Sequence, residues 1–460
     1  MEKNNTDSKN SIKALDMTKG PLNKEIFAFS IPLIFTNLLQ VLFNMADMAV
    51  VGRFAGASAL GSVGSTTNMV VMFIGLLIGI GSGVSALVAR FFGARSEKEV
   101  KETVSTAFVL SLALGVLLML IGLLFGGNIL KLLNTKEELF DGALLYINIY
   151  FCCLPAVSLY NFGNGVLSAI GNTKTSLKYL TIAGVLNVIL NLLFVIVFKM
   201  DVAGVAIATV LTQYLSAFLI IRYLLKINDI YALNFKDFKF NKSLGKKFLA
   251  LGLPAGAQNA IFQIANMFIQ AGVNSFDAVV VEGNAAASNA DPLVYQVMAS
   301  FYVACTSFIS QNYGAGNKKR MLQSYLYSTL YSFLIALILG VALVICGTRF
   351  LSLFATDPYV LDAGMQRLFV MGFSYCISAF MDNTIAASRG LGRTGIPTII
   401  VILGSCVFRV AWVYTIFAHF HTITSLYLLY AFSWTITAIA EIVYFAYVWK
   451  HDEIILKCKA

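Results

Sequence analysis

Apolar stretches of about twenty residues recur from one end of this 460-residue chain to the other, each long enough to carry a helix across roughly 30 Å of hydrocarbon. A backbone in lipid must satisfy its own hydrogen bonds, so such stretches are expected to be helices. With 58% of its residues hydrophobic and 12% charged, the chain is too apolar for a soluble fold. Runs bounded by charged or Gly/Pro-rich breaks predict helices near 25–51, 60–89, 104–127, 143–170, 177–198, 202–225, 248–274, 283–311, 323–347, 364–388, 396–418 and 423–449. The polar segment 1–24 has neither a signal-peptide core nor a cleavage site, so the first helix is expected to stay in the protein.

A net charge of +10 would fit an anionic partner such as nucleic acid, but the positions of the charges give a simpler account. Most of the 33 Lys and Arg fall before span 1, in alternate loops, in the stretch 226–247 and after span 12. The positive-inside rule then places both termini in the cytoplasm and requires an even number of spans. Seven cysteines, mostly inside apolar runs and without a CxxC, are read as small buried hydrophobes. Three histidines leave little material for a metal centre or His-based catalysis.

The chain also repeats itself. A shift of 222 superimposes Pro32 on Pro254, Asn37 on Asn259, Asn44 on Asn266 and Met45 on Met267, and a shift of 221 superimposes Gly93-Ala94 on Gly314-Ala315 and Gly171 on Gly392. The expected architecture is an all-α membrane protein of about twelve transmembrane helices, in two parallel-repeated six-helix lobes around a central cavity. Its segments are an N-terminal stretch (1–24), an N-lobe (25–225), a basic linker (226–247), a C-lobe (248–449) and a tail (450–460).

Polar side chains within spans are costly unless they meet a partner or a water-filled cavity. Asn37, Gln40, Asn44 and Asp47 recur at helical spacing in span 1, and Asn259, Gln263, Asn266 and Gln270 do so in span 7, where Ile269 stands at the position matching Asp47. The carboxylate therefore belongs to the N-lobe alone. Asp47 fits either an interfacial residue or a titratable, cation-binding group. Asn187 and Asn191, one turn apart in span 5, fit either that site or a hydrogen bond between helices, and Tyr160, Asn161 and Asn164 in span 4 carry the same two readings. In the C-lobe, Tyr375, Ser378 and Asp382 share one face of span 10, and Ser405, Arg409 and Trp412 one face of span 11. Arg409 is the one strongly intramembrane cation in this reading, and Asp382 is its expected counter-ion, either as a structural pair or as one that opens during transport. Asp291 and Glu441 are further carboxylates within spans, Pro32, Pro155, Pro254 and Pro292 are candidate pivots, and 36 Phe and 20 Tyr could line a cavity for flat organic cations.

The runs Ile31-Pro32, Asn44-Met45-Ala46-Asp47 and Val51-Gly52-Arg53 resemble the first span of the MATE (multidrug and toxic compound extrusion) transporters. So do Gly171-Asn172-Thr173-Lys174-Thr175 before Asn187 and Asn191, and Arg389-Gly390-Leu391-Gly392 after span 10. The resemblance extends from Gly20 to about Lys450. It implies a bacterial-type plasma-membrane antiporter whose lobes rock between two open forms, exchanging organic cations for Na⁺ or H⁺, with no other cofactor and no nucleic-acid partner. Asp47 matches the family's span-1 aspartate, which implies a cation site shared with Asn187 and Asn191. The NorM-like branch has a glutamate on span 7 where this chain has Phe262 and Gln263, and an aspartate near Ser378 where this chain has Asp382 one turn later. The N-lobe is therefore the better coupling site. A flippase for lipids or lipid-linked oligosaccharides, of related architecture, is the alternative; an enzyme is disfavoured because no GxSxG, HExxH or long extramembrane loop is present.

Overall fold

Short polar side chains set the starts of many helices by accepting hydrogen bonds from otherwise orphaned first-turn amides. Asn172, Asn241, Asp277, Asn317, Asp357 and Thr422 each cap a helix in this way. In the computed structural model, which describes residues 15–133 and 135–457, no strand occurs among the described residues. The expectations for residues 1–14 and 458–460, Cys458 among them, lie outside the described residues.

The helices are α1 (Leu22–Ala55), α2 (Ala57–Gly93), α3 (Glu97–Leu132), α4 (Glu137–Phe151 then Leu154–Ala169), α5 (Thr173–Val197) and α6 (Asp201–Lys226), followed by α7 (Lys242–Val273), α8 (Ala278–Gly314), α9 (Lys318–Leu351), α10 (Pro358–Gly390), α11 (Gly395–Phe420) and α12 (Ile423–His451). Eleven are single helices long and apolar enough to cross a membrane, and the two parts of α4, bent by 46°, make the twelfth. Span 4, expected as one run, breaks at Cys152-Cys153, with Pro155 in the first turn of its second half. Pro292 follows a similar interruption at Asn289 in α8, whereas Pro32 and Pro254 lie inside continuous helices. Cys152 and Cys346 are exposed rather than buried.

Helices α1–α6 and α7–α12 form two lobes, and the repeat is visible in the backbone itself. Gly171 (φ +80°) and Gly392 (φ +81°), 221 residues apart, both reach a left-handed conformation that glycine adopts without strain. Arg95 (φ +56°) and Gly316 (φ +70°), again 221 apart, do so after α2 and α8.

The lobes meet along a seam in which small residues let backbones approach. A Cβ added to Gly79 would overlap the Gly256 backbone, and one added to Gly83 would come within 2.9 Å of the amide of Gly252. Gly93 and Gly314, equivalent in the repeat, lie against the backbones of Gln311 and Arg90 in the opposite lobe. This seam occupies the half of the molecule that carries the linker. Residues Gly79–Ala89 of α2 and Val297–Tyr313 of α8 are almost wholly buried there, whereas Thr67, Asn68 and Val71 of α2 and Tyr295 of α8 are exposed towards the other end.

A short strap from Leu15 to Gly20, turned after Asp16, lies across the linker end and joins the lobes. Leu15 N donates to Ile170 O of the N-lobe at 2.9 Å, and Met17, fully buried, donates its N–H to Gln311 Oε1 of the C-lobe at 3.0 Å. Asn312 Nδ2 and Arg320 return hydrogen bonds to the Met17, Lys19 and Gly20 carbonyls at 2.7–3.1 Å.

Candidate functional site

In the N-lobe, Asn191 donates its amide N–H to Asp47, accepts no bond at its own buried Oδ1, and donates to Asn187 Oδ1 at 3.3 Å. Asn187 in turn donates to Thr212 Oγ1 of α6 at 3.4 Å. Asn187 and Asn191 are buried, Asp47 is half-buried, and no ion pair to Asp47 is present among the described residues. The buried rings of Tyr146 and Tyr150 in α4, stacked at 5.7 Å, lie within electrostatic reach of the carboxylate. A carboxylate beside an unoccupied amide oxygen is a hard, oxygen-only donor set, the kind that holds Na⁺ or a proton. Both helices are irregular beyond it: α1 and α5 each pass into a π-type turn, Val51–Ala55 and Leu193–Val197, shortly after Asp47 and Asn191. Such turns recur at functional sites.

The polar residues of α1 do not all face one way. At 100° per residue, Asp47 lies about 80° round the helix from Asn37. Asn37 therefore crosses to the C-lobe, donating to Gln296 O at 3.0 Å and Ser300 Oγ at 3.2 Å, while Asp47 turns towards α5. Asn44 is exposed and Gln40 half-exposed. In α7, Asn259 donates across the seam to Gly75 O at 3.0 Å, so the face shared by Asn259, Gln263 and Asn266 looks towards the N-lobe. Tyr160 Oη and Asn164 Oδ1 are buried without hydrogen-bond partners, and Asn161 donates to Val157 O at 2.9 Å within its own helix.

The C-lobe corrects the expected pairing of Arg409 with Asp382. Arg409, 2% exposed, donates Nε–H to Ser433 Oγ and Nη1–H to Asn266 Oδ1, both at 3.2 Å. Its guanidinium lies 4.7 Å from the Tyr430 ring centre, 5.3 Å from Phe262 and 5.7 Å from Trp434, so aromatic faces and neutral oxygens take the place of a carboxylate. Asp382 instead lies near Arg389, two turns further along α10, with Tyr295 and Tyr302 of α8 beside them. Glu441, fully buried, also lies near Arg389, and neither of its carboxylate oxygens has a hydrogen-bond partner.

Arg409 is not the only strongly intramembrane cation either. Arg367, 4% exposed, pairs with Asp291 at 2.5 Å and donates to Asn284 Oδ1 at 2.6 Å, while the Tyr375 and Tyr427 hydroxyls donate to Asp291 and Asn284. Sequence reasoning overlooked Arg367. The available signal was Asp291, a carboxylate without a named partner.

A family model described as MatE matches the chain twice, over residues 32–193 and 254–415, once in each lobe. The chain belongs to the MatE family. The two matches are offset by 222 residues, the register that aligns Asn37 with Asn259. This MatE chain is 29% identical over 381 residues to the probable multidrug resistance protein YpnP of Bacillus subtilis, covering 82% of this chain and 85% of the relative. It is 26% identical over 437 residues to the probable multidrug resistance protein YoeA of the same organism, covering 93% and 94%. A crystal structure of MATE in complex with MaL6 superimposes with a TM-score of 0.88 at 23% identity, over 95% of this chain and 98% of that one, so the fold is a twelve-helix, two-lobe MATE fold.

Proposed function

We propose that the protein is a secondary antiporter that exports organic cations, drugs among them, or related metabolites in exchange for Na⁺ or H⁺, with Asp47, Asn187 and Asn191 as the coupling site. The observation that carries this reading is Asp47, a half-buried carboxylate held by an amide and by no cation, set in the first span of a MatE chain. A carboxylate in that position gains a proton or a cation at low energetic cost and returns it when the surroundings change. The names of YpnP and YoeA, probable multidrug resistance proteins, support a drug-sized cargo.

In this reading the membrane is a bacterial plasma membrane, and the positive-inside rule supports a cytoplasmic linker end. With the seam closed at that end, this conformation is open outward. Asn37, Gln40, Asn44, Gln263 and Asn266 then line the cargo path, with Tyr160, Asn161, Asn164, Tyr375, Asp382 and Arg409 behind or beside it.

The test is transport of a fluorescent organic cation by proteoliposomes under an imposed Na⁺ or proton gradient. The expected result is movement driven by one of the two gradients and abolished in Asp47→Asn. A folded native protein that moves no cation under either gradient, yet scrambles labelled lipid, would replace this reading with the flippase.

A further inference from the structure

Away from the linker end, the interior of the C-lobe holds two buried guanidinium groups and, among the described residues, one carboxylate in contact with them. Tyr430 lies between two buried guanidinium groups, 5.8 Å from Arg367 and 4.7 Å from Arg409. Arg367 is neutralised by Asp291 at 2.5 Å, and Arg409 has no carboxylate in contact. Of the other carboxylates in the C-lobe helices, Asp382 and Glu441 lie near Arg389, and Glu282 and Asp362 are exposed. Arg409 Nη2 is buried and has no hydrogen-bond partner of any kind.

An uncompensated guanidinium within a span is costly, and cation–π contacts together with two neutral acceptors offset only part of that cost. The local backbone is also unusual, since α11 departs from regular α-helix on both sides of Arg409, with π-type turns at Ile402–Val407 and Val413–Phe417. Side chains around the guanidinium retain accessible surface. Asn266, its acceptor, sits on the face of α7 that reaches Gly75 of the N-lobe through Asn259, and Phe262, Asn266, Tyr430 and Trp434 are all only partly buried.

We infer that Arg409 is an anion subsite in the substrate path, and that the preferred cargo is an aromatic molecule carrying a carboxylate or phosphate. The acidic group takes the free Nη2–H and, when Asn266 turns aside, Nη1–H as well, giving the paired geometry in which a guanidinium holds such groups best. The rings of the cargo stack on Tyr430, Phe262 or Trp434. A basic group on the same molecule remains free for Asp47 of the N-lobe, so aromatic zwitterions fit both lobes at once. This inference rests on the transport reading above.

The test compares a rhodamine that bears a free benzoate with its methyl ester, two dyes alike in rings and cationic charge. Binding of each to the purified full-length protein in phosphatidylcholine nanodiscs is followed by fluorescence polarisation. The native protein is expected to bind the acid on the order of tenfold more tightly than the ester. In Arg409→Gln the acid-to-ester ratio falls to about one. Arg409→Lys, which keeps the charge and loses the paired geometry, retains part of the ratio and carries the test if Arg409→Gln does not fold. A native ratio near one, or a high ratio that survives both substitutions, overturns the subsite while leaving the transport reading intact. Failure of both dyes to bind counts against the transport reading together with the subsite. Loss of the acid preference when phosphatidylglycerol is included would assign the subsite to a lipid headgroup and overturn the aromatic-acid cargo.

Discussion

Asp47 and Arg409 are two intramembrane charges held by opposite strategies. Asp47 meets one amide N–H and a neighbouring empty amide oxygen, whereas Arg409 is surrounded on three sides by ring faces. Removing the amide with Asn191→Ala is expected to leave the carboxylate present but poorly positioned, slowing gradient-driven export by roughly tenfold where Asp47→Asn abolishes it, as read from initial rates in proteoliposomes. The Arg367–Asp291 pair behaves differently, because breaking it strands a charge. Arg367→Met should lower unfolding stability by about 2–3 kcal/mol, below the cost for a fully buried pair because Asp291 is one-third exposed, and adding Asp291→Asn in the same chain should restore part of that loss. A double-mutant cycle on melting curves reads both numbers. The contrast explains what could be read from sequence at this scale. The i, i+4 spacing of Asn187 and Asn191 and the resemblance around Asp47 point to the same cluster, which the structure assembles. Pairing Arg409 with Asp382 relied on charge alone and could not anticipate that Phe262, Tyr430 and Trp434, from two other helices, converge on the guanidinium. Arg367 escaped notice because it lies only three residues inside the expected start of span 10, where an arginine ordinarily reaches out to the interface.

At the scale of the helix, hydrophobic run length was sufficient to find every span but blind to how each is interrupted. The bend at Cys152-Cys153 sits inside apolar sequence, the break at Asn289 falls just before Asp291-Pro292, and π-type turns leave composition unchanged while rotating the residues that follow. Close approach was also hidden, since glycine is common throughout this chain and only the partner helix distinguishes the residues that matter. Gly79 is one of these, because its neighbour across the seam is the Gly256 backbone, which has no side chain to move aside. Gly79→Leu should therefore force the lobes apart at the linker end. The expected outcome is a loss of roughly 1–3 kcal/mol in stability together with a longer distance between spin labels at Lys98 and Lys319, both exposed at that end. The same substitution at Gly64, which faces open space, should change neither reading.

For the molecule as a whole, the alternating access proposed above has the seam open at the linker end in one of its two forms, so anything that bridges the lobes across that seam weights the equilibrium. The strap from Leu15 to Gly20 does this with main-chain groups, taking hydrogen bonds from the C-lobe while Leu15 N is anchored to Ile170 O of the N-lobe. Arg320 is its main clasp, with three bonds to strap carbonyls at 2.7–3.1 Å and an ion pair to Glu25 at 3.6 Å. Hydrogen bonds made by a charged donor to carbonyls are each worth on the order of 1–2 kcal/mol, and a conformational change need shift by only a few kcal/mol to invert its populations. Arg320→Ala should therefore enrich the form open at the linker end without unfolding either lobe, because the clasp contributes to the junction between lobes and little to either core. The measurement is the Lys98–Lys319 label distance distribution, in which a second, longer population should grow relative to the native protein. Arg320→Lys, able to reach one carbonyl but not three, should lie between the two. An unchanged distribution in Arg320→Ala would mean that the seam glycines alone hold the closed end and that the strap follows the lobes passively.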